Sequence, residues 1–203
     1  MKNIEDIAKK SYPVIITDYK SSWLSDFHVM GKILRKVLGE TALRIDHIGS
    51  TSVPDLAAKD FIDIQVTVKD LGSMESFEER MLGADFQQRG NFHYDCFCGI
   101  EESESPELKK KYFREPEGER RCHIHVRQEG LLNQRYALLF RDFLRLNSVV
   151  RKSYEILKRR LTRLFPESIN GYLYIKDPLM DIIFSGAEYW ALNTEWKPDD
   201  EYL

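Results

Sequence analysis

The spacing of hydrophobic positions changes along this chain, and each change marks a different kind of element. From Ser22 to Leu38, Trp23, Phe27, Met30, Leu34 and Val37 recur at three- and four-residue steps. That spacing predicts an amphipathic helix, which Gly39 stops. The period then drops to two. Residues 43–48 predict a strand that runs into Gly49-Ser50. Over 61–68, Ile62, Ile64, Val66 and Val68 share one face, and Asp63, Gln65 and Thr67 share the other. Residues 121–127 alternate in the same way. Cys122, Ile124 and Val126 suit a core, and Arg121, His123, His125 and Arg127 lie opposite. Beyond residue 130 the helical period returns. Tyr136, Leu139, Phe140, Phe143 and Leu144 form one stripe; Val150, Tyr154, Leu157, Leu161 and Leu164 form a second. Asp177-Pro178 reads as a cap and first-turn proline for a final helix carrying Met180, Ile183, Phe184, Ala187 and Trp190.

Weaker patterns fill the gaps. A short helix is expected over 4–11 behind Asn3, another helix over 73–82, and further strands over 85–100. Residues 101–120 are dense in Glu, Lys, Pro and Gly, so a loop is expected, broken by a strand at Tyr112-Phe113-Arg114. The sum is an α+β (α/β) fold in one domain over 1–203. It has an N-terminal helix, a mixed sheet over about 43–127 flanked by helices, and a helical C-terminal part over about 131–196. Arg135, Arg141, Arg145 and Lys152 flank the helical stripes and are expected to be solvated.

Composition narrows the setting. A chain of 203 residues, 42% hydrophobic and 31% charged, can bury a core without disulfides. A net charge of −3 does not indicate nucleic acid as a partner. Cys96, Cys98 and Cys122 are an odd set, and Met1 to Asp6 opens without a signal-length apolar run. A reducing, cytoplasmic setting is therefore expected. No run of ~18 apolar residues suggests a membrane span. The Cys96-Phe97-Cys98 spacing matches no zinc module, so these thiols are expected as small buried hydrophobes. The oligomeric state is not legible.

The segment from His47 to Val66 carries the chemistry. A strand ends in Gly49-Ser50, hydroxyl and small residues follow, and a second strand sets Asp63 on its polar face. Glycine lets backbone N–H groups approach an anion closely. Ser50, Thr51 and Ser52 add hydroxyl donors, Lys59 adds positive charge, and Asp63 is an oxygen ligand for a divalent cation. Aspartate is a poor strand former, so its place in mid-strand calls for a reason. His123 and His125 share a face with Arg121 and Arg127, which suits an anionic ligand, acid/base work or a metal.

This segment resembles the GrpB-like family of the nucleotidyltransferase superfamily. His47 to Pro54 looks like the family's His-Ile-Gly-Ser-Thr-(Ser or Ala)-Val-Pro block. Leu56 to Lys59 looks like its Leu-Ala-Ala-Lys, and Ile62 to Ile64 like its Ile-Asp-Ile. The likeness continues through Tyr112-Phe113-Arg114, His123 to Val126, Phe140 to Arg145, Tyr154 to Lys158 and Tyr172 to Lys176. The resemblance implies a nucleotidyltransferase-like mixed sheet with the Gly-Ser turn beside the acidic strand. It also implies a site of two carboxylates spaced two apart, a third on a neighbouring strand, and magnesium between them. Here Asp63 fills the first place, Gln65 the second, and the third falls on the strand of His123 and His125. The two-metal site is thus incomplete.

Three functions stay open at this stage. One is a metal-dependent nucleotidyl or phosphoryl transferase, with Mg²⁺ on Asp63 and with Asp63, Gln65 and His125 in the catalytic places. Its phosphates would rest on Gly49, Ser50, Thr51, Ser52, Lys59, His123 and Arg127. Another is a protein that binds a nucleotide or phosphorylated small molecule without the chemistry. The last is an interaction module built on the C-terminal helices.

Overall fold

The computed structural model describes residues 9–72, 74–100, 105–199 and 203. Helix α1 (Ser22–Leu38) follows the first predicted stripe, burying Trp23, Phe27, Met30 and Leu34. Gly39 then turns the chain at φ +55°, a region open to glycine without a Cβ penalty. The chain continues through β1 (Arg44–Ile48), β2 (Ile62–Val68), α2 (Glu75–Gly83), β3 (Gln87–Gln88), β4 (Lys111–Arg114) and β5 (Cys122–Gln128). It ends in α3 (Leu132–Leu146), α4 (Ser148–Leu164) and α5 (Ile169–Thr194). Among the described residues the strands form one mixed sheet in the order β1-β2-β5-β4-β3. The central pair β2 and β5 is parallel; the other neighbours are antiparallel.

The parallel register places the site. Asp63 lies opposite His123, Gln65 opposite His125 and Thr67 opposite Arg127. The polar positions of both central strands therefore emerge side by side on one face. The other face carries Ile62, Ile64, Val66, Ile124 and Val126, all fully buried under α1 and α2 with Phe77 and Met81. Helices α3 to α5 cover the polar face. They pack as a second core in which Leu139, Phe140, Leu144, Tyr154 and Phe184 close on Val53 and Leu56. Between that core and the polar face of the sheet lies a cavity of about 510 Å³. No helix among the described residues is long and apolar enough to cross a membrane.

Several expectations need correction. Of the strands expected over 85–100, only Gln87–Gln88 forms, together with an isolated bridge from Tyr94 to Lys109; the rest is irregular around Gly90 and Gly99. Cys96 and Cys98 are exposed on that loop, while Cys122 alone of the three is buried. Asp177-Pro178 does not start the last helix. Ser168 does, its Oγ accepting from Gly171 N at 3.1 Å, and Pro178 lies inside α5. The first turns of α5 bury Tyr172 against Val14 and Leu161, and that packing outweighs the proline signal. Arg141 is not solvated. It is 2% exposed and donates to Asp142 Oδ1, the His47 carbonyl and Asp199 Oδ1. The helix expected over 4–11 lies largely outside the described residues.

Candidate functional site

Ser50–Ser52 forms a single 3₁₀ turn directly after β1, preceded by Gly49 at φ +70°. A side chain at Gly49 would collide with Asp63, its Cβ lying 2.9 Å from both Cβ and Cγ of the aspartate. The glycine is therefore what allows the turn to lie against the acidic strand. Two hydroxyls of the turn are committed to holding its shape. Ser52 Oγ donates to the Gly49 carbonyl at 2.6 Å, and Thr51 Oγ1 is 3.1 Å from His47 Nε2. His47 itself stacks on Phe27, and burial lowers its pKa to about 3. The third hydroxyl, Ser50 Oγ, faces α4. It accepts from Lys158 Nζ at 2.9 Å and is also hydrogen-bonded to Tyr154.

Asp63 sits at the floor of the cavity with its side chain 26% exposed, reached by solvent yet enclosed by protein. Burial alone would raise its pKa. The hydrogen bond from His123, whose Nδ1 is 3.1 Å from Oδ1, and the positive charge of Lys59 help outweigh burial and hold it near 2. The carboxylate is thus ionised at neutral pH.

Beside this pair lies a polar cluster centred on Asp95. Asp95 accepts from Lys110 Nζ at 2.6 Å, from Arg127 Nε at 2.8 Å and Nη2 at 3.1 Å, and from Asn133 at 3.1 Å. These cations hold its pKa well below the usual carboxylate range against the cost of burial. Arg127 also donates to Gln65 Oε1 at 2.7 Å, and Gln65 Nε2 donates to the Gln134 carbonyl. The guanidinium of Arg127 is therefore engaged within the protein, and Gln65 is fully buried. His125 Nδ1 lies 3.3 Å from Lys110 Nζ and 3.5 Å from Arg127 Nη2. Arg127 can only donate, so Nδ1 is the accepting nitrogen and Nε2 carries the proton of the neutral ring. Burial first, then Lys110 and Arg127, keeps His125 neutral far below its ordinary pKa.

The upper wall is cationic and aromatic. Lys158 is 2% exposed, and burial, reinforced by Lys176, pushes its pKa down to about 7. Lys59 is half-buried over the Tyr172 ring and is lowered for the same reasons. Neither has a carboxylate within ion-pair distance among the described residues, whereas Lys176 pairs with Asp177 at 3.1 Å. Phe61, Phe92, Tyr112, Tyr136 and Phe140 line the remainder.

The structure thus gathers Gly49, Ser50, Thr51, Lys59, Asp63, His123, His125 and Arg127 around one cavity, with Gln65 and Ser52 outside its lining. It adds Lys158, Tyr154, Lys110, Asp95 and Asn133, which sequence reasoning missed. Lys158 carried a readable signal, because it falls four residues after Tyr154 and three before Leu161, on the buried stripe of α4. Asp95 lies in an irregular loop and carried none.

Ligand atoms of Asp63, His123 and His125 lie within 4.8 Å of one another. They do not fit the expected magnesium site. Magnesium favours an octahedral shell of oxygens, and this set offers one carboxylate and two imidazoles. The His125 nitrogen left to face a metal holds its proton.

Comparison with known proteins finds one family and relatives that carry different names. A family model described as GrpB protein matches residues 13–185. The UPF0157 protein YqkA of Bacillus subtilis is 30% identical over 182 residues, 90% of this chain and 49% of YqkA. A dephospho-CoA kinase of Mycobacterium leprae is 32% identical over 190 residues, 86% of this chain and 46% of that protein. The chain spans about half the length of these curated relatives. Among solved structures, the conserved protein GrpB of Enterococcus faecalis is 30% identical with a TM-score of 0.70. The match covers 87% of this chain and 99% of that one.

Proposed function

The chain belongs to the GrpB protein family, and on that premise we propose that its cavity binds a nucleotide or a related phosphorylated small molecule. The observation that carries this reading is the pair Lys158 and Lys59. Two lysines held without a carboxylate partner among the described residues, beside a Gly-Ser turn, leave positive charge that an anion would neutralise. Gly49 and Ser50 line the cavity and offer hydrogen-bond donors to a phosphate, and the proton on His125 Nε2 offers another. The aromatic wall of Phe61, Phe92 and Tyr112 offers faces on which a base can stack. A cavity of about 510 Å³ suits a ligand of mononucleotide size. Arg127, expected from the sequence to meet phosphate directly, acts in this reading by holding Asp95 and orienting His125.

Isothermal titration with pyrophosphate and with nucleoside triphosphates, in Mg²⁺ and again in EDTA, tests the reading. Binding is expected in both buffers. Lys59→Met and Lys158→Met should each weaken it roughly tenfold, the loss of one charge-assisted contact. No binding by the wild-type chain overturns the reading. Binding that requires Mg²⁺ and disappears in Asp63→Ala replaces it with the metal-dependent transferase.

A further inference from the structure

Ser50 and Lys158 form a pair whose geometry exceeds what phosphate binding needs. Ser50 stands at the sharp exit from β1, so its Oγ projects into the cavity. Lys158 Nζ reaches it at 2.9 Å from α4, held in place by a second bond to the Ala57 carbonyl and by the Tyr154 ring 4.7 Å below. Tyr154 is bonded to the same serine. A hydroxyl touching a buried amine that no carboxylate neutralises is the arrangement by which a serine is made nucleophilic.

Building on the nucleotide-binding reading, we propose that Ser50 is a nucleophile and Lys158 its general base, so that the cavity transfers a phosphoryl or nucleotidyl group through a covalent serine intermediate. In the first step the neutral Lys158 amine takes the Ser50 proton and Oγ bonds to phosphorus. The bond from phosphorus to the leaving oxygen breaks. That oxygen departs with the electron pair and receives the proton from the Lys158 ammonium. In the second step Lys158 takes the proton of water or an acceptor hydroxyl, the acceptor oxygen bonds to phosphorus, and the bond to Oγ breaks. Ser50 then recovers its proton from Lys158. Lys59 lines the same cavity and holds the non-bridging oxygens. The groups whose charge acts on Lys158 are Lys176 of α5, Glu155 and Arg159 of α4, and Asp63 of β2. Together with burial they leave a large neutral fraction at pH 7.

Diisopropyl fluorophosphate tests the first step directly, because its phosphorus accepts an activated serine and releases fluoride. Intact mass and peptide mapping of the full chain should show one adduct, on Ser50, and none in Ser50→Ala. The labelling rate should rise with pH through about 7 as Lys158 loses its proton. Lys158→Arg keeps the charge but cannot act as a base. It should label about a hundredfold more slowly, the range of general-base assistance. Absence of an adduct on Ser50, or a rate unchanged in Lys158→Arg, overturns the proposal. If that variant does not fold, a flat wild-type rate between about pH 5.5 and 8.5 overturns it instead. Failure of the wild-type chain to bind pyrophosphate is a separate result and counts against the nucleotide reading.

Discussion

Single residues decide how close the two halves of the site can come. Gly49 is tied to its place twice over, by φ +70° and by the Asp63 side chain that occupies the space a Cβ would need. Gly49→Ala should lower the unfolding free energy by about 1–3 kcal/mol, read from urea denaturation. The double variant with Asp63→Ala should recover part of the loss, because the collision with the carboxylate is relieved while the 2.9 Å contact with the Cβ of residue 63 and the backbone strain remain. Sequence alone could name Gly49, Ser50 and Asp63, since a glycine-serine strand exit and an aspartate in mid-strand are local oddities. It could not tell which of three neighbouring hydroxyls is available. Thr51 and Ser52 turn inward to His47 and to the Gly49 carbonyl, and that choice depends on groups brought in by the fold.

At the scale of elements, α5 shows where local signals lose to packing. Pro178 has no N–H to give to the carbonyl one turn earlier, yet the helix runs from Ile169 to Thr194 because Ser168 caps it and Tyr172 anchors its first turns. Pro178→Ala should restore the missing bond and stabilise the chain by about 1–3 kcal/mol, seen as a higher melting temperature. An unchanged or lower melting temperature would mean that the proline sets a bend the packing requires. Helix α4 makes the opposite point. Its apolar stripe was legible, but a lysine within the stripe reads by default as a stem lying along a surface. Only the approach of the Ser50 turn shows that Lys158 has a partner there.

For the whole molecule, the buried imidazoles set the response to acid. His47 and His125 are held neutral by burial, His47 down to about 3 against an ordinary value of 6.5. Between about pH 6.5 and 3 the unfolded chain takes up protons that the folded chain refuses, so stability falls as pH falls. Each such group contributes about 1.4 kcal/mol per pH unit across its window. Asp63, held near 2, adds loss of the same sign below about pH 4. Urea midpoints measured from pH 7 down to 4.5 should decline steadily, and His47→Phe should flatten part of the slope; a midpoint constant over that range would show that His47 protonates in the folded state. The sequence by itself determined most of the elements, the side of the sheet that the residues of β2 and β5 take, the family resemblance and eight of the residues that line the cavity. These follow from spacing along the chain, which a one-dimensional pattern carries. The tertiary structure decided which cations stay free for an anion. Arg127 and Lys110 are spent on Asp95 from a loop far away in sequence, while Lys158 and Lys59 meet no carboxylate among the described residues. Charge pairing is a property of distances in space, and no periodicity records it.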